Sequence, residues 1–354
     1  MRIAQVVGPK IPFFDNLPHT PFSIPAMSYL ITEGLVKRGH KVTVFAPSDS
    51  ITRAEIAPNT WSSKFIKKHH LSKARAEKSK LYKKIAHDHF TNVVKLSKNF
   101  DIIHNHELAF LYFAPEASAP VVTTLHYHIP DVKQKKFLSA ANNQFIAISK
   151  KQTDNFPALK FAGVIHHGIR VEDFQFNGQP KNYVGWLGRI TAIKGCYEAI
   201  LAALKSNQII RLAGNIERDK TEAQYVKTIF DLIKKNPTVS YIGKVGHQRK
   251  ISFLKNAKAI LMPIRWEEPF GLVAIESFAC GTPVIAFRRG ALPEIIQDGK
   301  TGFIVNNVTE MAKAIKKIDQ INRFDCRQSV ENYFNVERMV EDHEKLYKKI
   351  INSQ

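Results

Sequence analysis

An α/β fold of two doubly wound, parallel-sheet domains is predicted for this 354-residue chain, and three observations predict it. Short, nearly continuous apolar runs, among them Lys41-Val-Thr-Val-Phe45 and Val121-Val-Thr-Thr-Leu125, read as strands buried on both faces. Helical stretches alternate with such runs, as in right-handed crossover units. A polar stretch from Gln175 to Lys181, holding Gly178 and Pro180, interrupts the alternation, which then restarts. The length also suits two domains of about 100–200 residues each.

Taken in order, the first half opens with a strand over Arg2–Val7, closed by Gly8-Pro9, and a long loop to Pro25. A helix is expected from Ala26 to Arg38, stopped by Gly39, and a strand from Lys41 to Phe45. Further strands are expected at Asp101–His104, Val121–Leu125, Gln144–Ile148 and Gly163–Ile165. Beyond the polar stretch come strand Tyr183–Leu187, helix Gly195–Leu204, strand Ile209–Ala213, helix Glu222–Lys235, strand Val239–Ile242 and helix Gln248–Asn256. Strand Ala257–Ile264, helix Gly271–Cys280, strand Thr282–Phe287, helix Leu292–Gln297, strand Gly302–Val305 and a charged helix from Val336 to Ile351 complete the chain. The expected domains are 1–174 and 181–335. A cleft between the carboxyl edges of their two sheets is the expected ligand site.

The segment Glu268-Pro-Phe-Gly-Leu-Val-Ala-Ile-Glu276 is the most informative in the chain. It lies between a strand and a helix, so its loop opens at the carboxyl edge of a parallel sheet, where ligands of such folds bind. The backbone N–H groups of Phe270, Gly271 and Leu272 stand at the helix start and suit an anion or a polar oxygen. Two carboxylates beside an anion site are poor phosphate ligands but good acceptors for sugar or ribose hydroxyls. Glu276 sits among Ala274, Ile275, Phe278 and Ala279, where an unpaired charge is costly, so a partner or a ligand is expected for it.

Gly185-Trp-Leu-Gly-Arg189 follows a strand and leads through Lys194-Gly195 into a helix. The spacing is not the dinucleotide fingerprint. Arg189 and Lys194 are cations at the same sheet edge as Glu268, and together they suit a diphosphate, the one as a fork and the other as a point charge. His126 ends the strand Val121–Leu125, but His104, His106, His128, His166 and His167 also stand at strand ends, and chemistry alone does not choose among them. They belong to different strands, which argues against one metal cluster. No Asp-x-Asp motif occurs in the sequence, which disfavours a metal-held nucleotide sugar. No metal and no cofactor is expected.

Composition bounds the partners. The formal charge is +21, with the densest block between Lys64 and Lys84, nine basic residues against Glu77 alone. Trp61, Phe65, Ile66, Leu71, Leu81 and Tyr82 are interleaved there, so segment 61–84 suits an anionic membrane surface, or equally a solvated helical face. Nucleic acid is not expected, because the other basic residues are scattered and no zinc-finger or RNP-type pattern occurs. No apolar run reaches membrane-spanning length. Cys196, Cys280 and Cys326 lack metal spacing and fit inert thiols in a reducing, cytoplasmic compartment.

The chain resembles the retaining glycosyltransferases of family 4, which have the two-domain GT-B fold. The resemblance rests on Glu268 and Glu276 flanking Pro-Phe-Gly, on Ala279-Cys-Gly-Thr-Pro-Val-Ile-Ala286, and on Gly290, Pro293-Glu294, Asp298-Gly299 and Thr301-Gly-Phe303. Gly188-Arg189, Lys194-Gly195, His167-Gly-Ile169 and Arg38-Gly-His-Lys-Val-Thr-Val44 extend it over nearly the whole chain. Pro263-Ile-Arg-Trp-Glu-Glu-Pro-Phe270 is similar to a bacterial UDP-glucose-type branch. The resemblance implies a hexosyltransferase with a Rossmann-like N-terminal acceptor domain, completed by helix 336–354, and a C-terminal donor domain. It implies that Arg189 and Lys194 bind the donor diphosphate and that Glu276 takes the ribose hydroxyls. Glu268 and the backbone of Phe270, Gly271 and Leu272 would hold the transferred sugar, and His126 would face it. Relatives carry a Gly-Gly pair in the first loop, whereas here the stretch is Pro21-Phe-Ser-Ile-Pro25, which leaves the hydroxyl acceptor open. The rival readings are a nucleotide-sugar epimerase or hydrolase of the same fold, and a non-catalytic basic membrane-binding protein.

Overall fold

The computed structural model describes residues 1–13, 23–70, 79–127, 143–216 and 219–353. The chain forms two compact units, Met1–His166 with Val336–Gln354, and His167–Asn335. Each is a parallel sheet with helices, and the doubly wound, Rossmann-like architecture expected from the sequence is the one observed.

The first unit runs β1 (Arg2–Val6), α1 (Ser23–Lys37), β2 (Lys41–Phe45), β3 (Glu55–Ile56), α2 (Ser63–Lys68), α3 (Lys80–Leu96), β4 (Ile102–Asn105), β5 (Val121–Leu125), β6 (Gln144–Ala147), α4 (Lys150–Asn155) and β7 (Phe161–Val164). Its sheet order is β3-β2-β1-β4-β5-β6-β7, all parallel. The chain's direction of travel across the sheet reverses between β1 and β4. Elements β3, α2, α3 and α4 were not expected here. The two-residue β3 is too short to show a pattern. Helix α3 fills the crossover to β4; Ser79 caps it by accepting from Tyr82 N, and Ile85, His89, Phe90 and Val93 form its buried stripe. The basic first turn and a buried histidine obscured that stripe in the sequence.

Helices α2 and α3 also correct the reading of segment 61–84. Ile66 and Ile85 are buried against one another, with Trp61, Phe65, Leu81 and Tyr82 half-buried around them. The described apolar residues of that segment therefore pack on the protein itself. Lys64, Lys67, Lys68, Lys80, Lys83 and Lys84 are the exposed part. Leu71, Lys73, Arg75 and Lys78 lie outside the described residues, as do His128 and the first two residues of the Pro21–Pro25 stretch.

The second unit runs β8 (Val184–Leu187), α5 (Cys196–Lys205), β9 (Ile210–Ala213), α6 (Ala223–Lys235), β10 (Val239–Tyr241), α7 (His247–Asn256), β11 (Ile260–Met262), α8 (Leu272–Ala279), β12 (Val284–Phe287), α9 (Leu292–Ile295), β13 (Gly302–Val305), α10 (Val308–Ile315) and α11 (Arg323–Tyr333). Its sheet order is β10-β9-β8-β11-β12-β13, all parallel, and the reversal falls between β8 and β11. Helix α12 (Val336–Asn352) belongs to the first unit, burying Val336, Met339, Val340, His343, Leu346, Tyr347 and Ile350 on one face.

The first passage between the units lies at His166/His167, earlier than the expected end at 174, and Gln175–Lys181 is no free linker. Asn177 N donates to Cys280 O at 3.1 Å, and Lys181 N to Asn256 O at 2.7 Å. Arg323, buried and without a carboxylate partner among the described residues, donates from Nε to Asn177 O at 2.7 Å, from Nη1 to Ala257 O at 3.0 Å, and from Nη2 to Lys255 O at 2.9 Å and Thr282 Oγ1 at 2.6 Å. One guanidinium thus stitches the polar stretch to the second unit.

Candidate active site

The loops that leave β8 and β11 flank the reversal point of the second sheet, where a crevice forms at the carboxyl ends of the strands. They carry the residues singled out in the sequence. Lys194 ends a short 3₁₀ turn (Ala192–Lys194) after β8, and Glu268 lies in the loop before α8. Lys194 Nζ donates to Glu268 Oε2 at 2.6 Å, with both side chains largely buried at 21% and 13% exposure.

Backbone geometry makes this approach possible. Gly195 caps the 3₁₀ turn in the left-handed region, with φ of 71°, and a Cβ there would stand 1.9 Å from Pro263 O. Only glycine lets the β8 loop lie on the β11 loop so closely. The two are also joined by Arg265 N donating to Ile193 O at 2.9 Å. Gly290, with φ of 54°, does the same on the other side: a Cβ there would meet Glu268 N and O within 2.3 Å. Ala291 N donates to Glu268 O at 2.9 Å, and Gly290 N to Glu267 Oε2 at 3.1 Å, so the Glu268 loop is braced from behind.

The sequence reading missed Trp266 and Lys250. Trp266 Nε1 donates to the same Glu268 Oε2 at 3.0 Å, and Lys194 Nζ lies 5.0 Å above the Trp266 ring. Glu276, within α8, accepts from Lys250 Nζ of α7 at 2.6 Å, again between largely buried side chains. The partner expected for a charge in so apolar a helix is therefore Lys250, whose place in a polar helix gave no signal in the sequence. Trp266 does have one, two positions before Glu268 in an otherwise polar loop.

Helix α8 starts at Gly271, whose φ is 105°, and no side chain caps it. Its positive end therefore meets the loop that precedes it, which carries Glu268. Phe270 is buried, with its ring edge-on to His167 at 5.1 Å and to Phe334 at 6.2 Å, so this residue offers the site only its backbone. Leu272 is half-buried in the first turn. Arg189 lies just beyond β8 and is exposed. Burial pushes the Cys280 thiol, one turn beyond Glu276, up to about 12, aided by the Glu276 charge. Burial raises Cys196 and Cys326 as well, so all three cysteines are buried, unreactive thiols.

In the first unit the loops after β1, β4 and β5 flank the corresponding reversal point. His126, just beyond β5, is half-buried, and His106 Nδ1 lies 2.9 Å from its Nε2. Loss of solvation, with smaller contributions from His106 and His343, holds the His126 pKa well below 6.5. His104 is buried within β4 and bonded to Thr124 and Tyr347, so it is a core residue. His166 and His167 lie where the chain passes between units. Among the described residues no cluster of His, Cys, Asp and Glu has metal-binding geometry.

The arrangement in the second unit offers two cations, an uncapped helix start and two carboxylates at one sheet edge. Such a set suits a phosphorylated, hydroxyl-rich ligand. Comparison with known proteins agrees with this chemistry. Residues 170–332 match the family model "Glycosyl transferases group 1", and residues 26–173 match "Glycosyltransferase Family 4". An uncharacterized 41.2 kDa protein in the cps region of Klebsiella pneumoniae is 32% identical over 170 residues, covering 46% of this chain and 45% of that protein. N-acetyl-alpha-D-glucosaminyl L-malate synthase of Bacillus anthracis is 30% identical over 128 residues, 34% of each chain. The chain thus spans less than half the length of these two curated relatives. HepE of Anabaena, solved in complex with UDP and glucose, superposes with a TM-score of 0.71 at 18% identity, covering 99% of this chain and 100% of that one. The two matched models follow one another along nearly the whole sequence, and both describe glycosyltransferases.

Proposed function

We propose that the protein transfers a hexosyl group from a nucleoside diphosphate sugar to an acceptor hydroxyl, without a metal ion and with retention of anomeric configuration. The observation that carries this reading is the contact of Lys194 with Glu268 at the reversal point of the second sheet. A cation for the diphosphate and a carboxylate for the sugar hydroxyls stand there within one hydrogen bond of each other.

The roles follow from charge. As the bond to the anomeric carbon stretches, negative charge grows on the leaving diphosphate. Arg189, Lys194 and the start of α8 stabilise it, the function a divalent cation has in other sites. Glu268, steadied by Trp266, takes hydroxyls of the sugar, and Glu276 takes those of the ribose. In the ligand-free protein Lys194 and Lys250 neutralise these two carboxylates. Donor binding exchanges those ion pairs for ligand contacts. His126 contacts the reacting sugar. Retention without a protein nucleophile calls for a front-face route, in which a departing phosphate oxygen accepts the proton of the acceptor hydroxyl.

Glucose carried by UDP is the favoured donor, supported by the wording of Pro263–Phe270 and by the UDP and glucose bound to HepE. The acceptor is a hydroxyl of a cell-envelope glycan or glycolipid. Contact with an anionic membrane surface on the cytoplasmic side belongs to the same reading and rests on the exposed lysines of segment 61–84.

The test is thermal stability in a chelator against UDP-, GDP- and ADP-sugars. One donor at about 100 times its Kd should stabilise the protein by about 2.7 kcal/mol. Arg189→Ala and Glu276→Ala should abolish the gain. No stabilisation by any donor contradicts the proposal, and favours the membrane-binding alternative if anionic vesicles still bind.

A further inference from the structure

A buried hydrogen-bonded chain ties the end of β5 to helix α12 within the first unit. Gln5 of β1 and His104 of β4 are in register on adjacent strands, His106 directly follows β4, and all three are buried. Gln5 Oε1 lies 2.9 Å from His106 Nε2, and Gln5 Nε2 donates to Tyr347 OH at 3.5 Å. Tyr347 OH lies 2.6 Å from His104 Nδ1, and His104 Nε2 lies 2.7 Å from Thr124 Oγ1. His106 Nδ1 completes the chain at 2.9 Å from His126 Nε2.

The lengths give the direction of the protons. A separation of 2.6 Å is short for an N–H donor and ordinary for an O–H donor. Tyr347 therefore donates to His104 Nδ1 and accepts from the Gln5 amide nitrogen, which leaves the Gln5 carbonyl facing His106. A carbonyl only accepts, so His106 carries its proton on Nε2. A neutral imidazole then has its lone pair on Nδ1, so the proton between His106 and His126 belongs to His126 Nε2. The surroundings favour neutral rings. The tilted His343 ring lies 5.2 Å from His104, Met339 O fixes a proton on His343 Nδ1, and His343 Nε2 is buried with no hydrogen-bond partner among the described residues.

We propose that Gln5 and His106 are positioning residues that hold His126 as the neutral Nε2–H tautomer, so that its Nδ1 serves as a hydrogen-bond acceptor for a hydroxyl of the donor sugar. This rests on the reading of His126 as a sugar contact. It excludes His126 as a general acid, since the ring has no proton to give on the Nδ1 side. It also makes α12 part of the support of the site through Tyr347.

The test reads the tautomer directly, by long-range ¹H–¹⁵N correlation of the histidine rings in the full-length, ligand-free protein, with His126→Asn for assignment. His126 should show the Nε2–H pattern in the wild type and in His106→Asn, whose side-chain oxygen replaces the Nδ1 acceptor. In His106→Leu, and in Gln5→Leu should that variant fold better, it should become a tautomer mixture. Donor affinity should fall about tenfold in His106→Leu, one hydrogen bond's worth, and recover in His106→Asn. An Nδ1–H pattern in the wild type overturns the proposal, as does an unchanged tautomer or unchanged donor affinity in His106→Leu. A wild-type protein that binds no donor is a different result: it refutes the donor reading.

Discussion

Lys194 and Glu268 are 74 positions apart in the chain and 2.6 Å apart in the fold. Their pairing is largely buried, so removing one partner strands the other's charge. Lys194→Ala should therefore destabilise the ligand-free protein more than the double variant Lys194→Ala/Glu268→Gln. Chemical denaturation of the two singles and the double should give a coupling of about 1–3 kcal/mol. Simple additivity would mean that the contact carries no energy and that the cradle is not preassembled. The types of the site residues were legible because each broke a local expectation: a Glu inside an apolar helix, a cation beside a strand-end glycine. Their partners were not. Lys250 and Trp266 meet the two carboxylates only through the packing of α7 and of the β11 loop, which no local pattern encodes.

At the level of elements, strands buried on both faces were the easiest to read, because a parallel sheet leaves them no polar side; β2, β5 and β13 match the expected bounds. Helices α2, α3, α4, α10 and α11 were missed. In α3 the charged turn and the buried His89 disguise the stripe, and in α11 the buried set includes Arg323 and Ser329. Arg323 also explains why a polar, Gly- and Pro-bearing stretch was misread as a linker. Its four hydrogen bonds to the segments around Asn177, Lys255, Ala257 and Thr282 are long-range, and burial lowers its pKa to about 10. Arg323→Ala takes the donor from the Asn177 and Ala257 carbonyls, while Lys255 O keeps Asn177 Nδ2 at 3.1 Å. It should cost about 2–4 kcal/mol in urea unfolding, on the scale of about 1–3 kcal/mol for a single such loss. A loss below about 0.5 kcal/mol would show that the stretch is held by its backbone alone.

For the whole molecule, buried neutral histidines set the response to acid. Burial lowers His89 and His343 from 6.5 to about 4, and His104 and His126 are also held well below 6.5. Between 6.5 and 4 the unfolded chain takes up protons that the folded protein refuses, so stability is complete above 6.5 and falls as pH decreases. His89 and His343 should each remove about 2 kcal/mol by pH 5. Carboxylates such as Glu344, held at about 2 by Lys348 and Arg38, act only below 4.5. A melting temperature that is flat from pH 7 to 4.5 would contradict these assignments. No helix among the described residues is long and apolar enough to cross a membrane.

The central claim is that protein cations alone serve the leaving diphosphate. The most direct measurement is release of nucleoside diphosphate from the stabilising donor in a chelator, with water or an added alcohol taking the sugar, by the wild type and by Lys194→Ala. Added magnesium or manganese should not increase turnover, and the Lys194→Ala rate should be about 10²–10³ lower. Turnover that requires a metal, or a Lys194→Ala rate equal to the wild type, would contradict it.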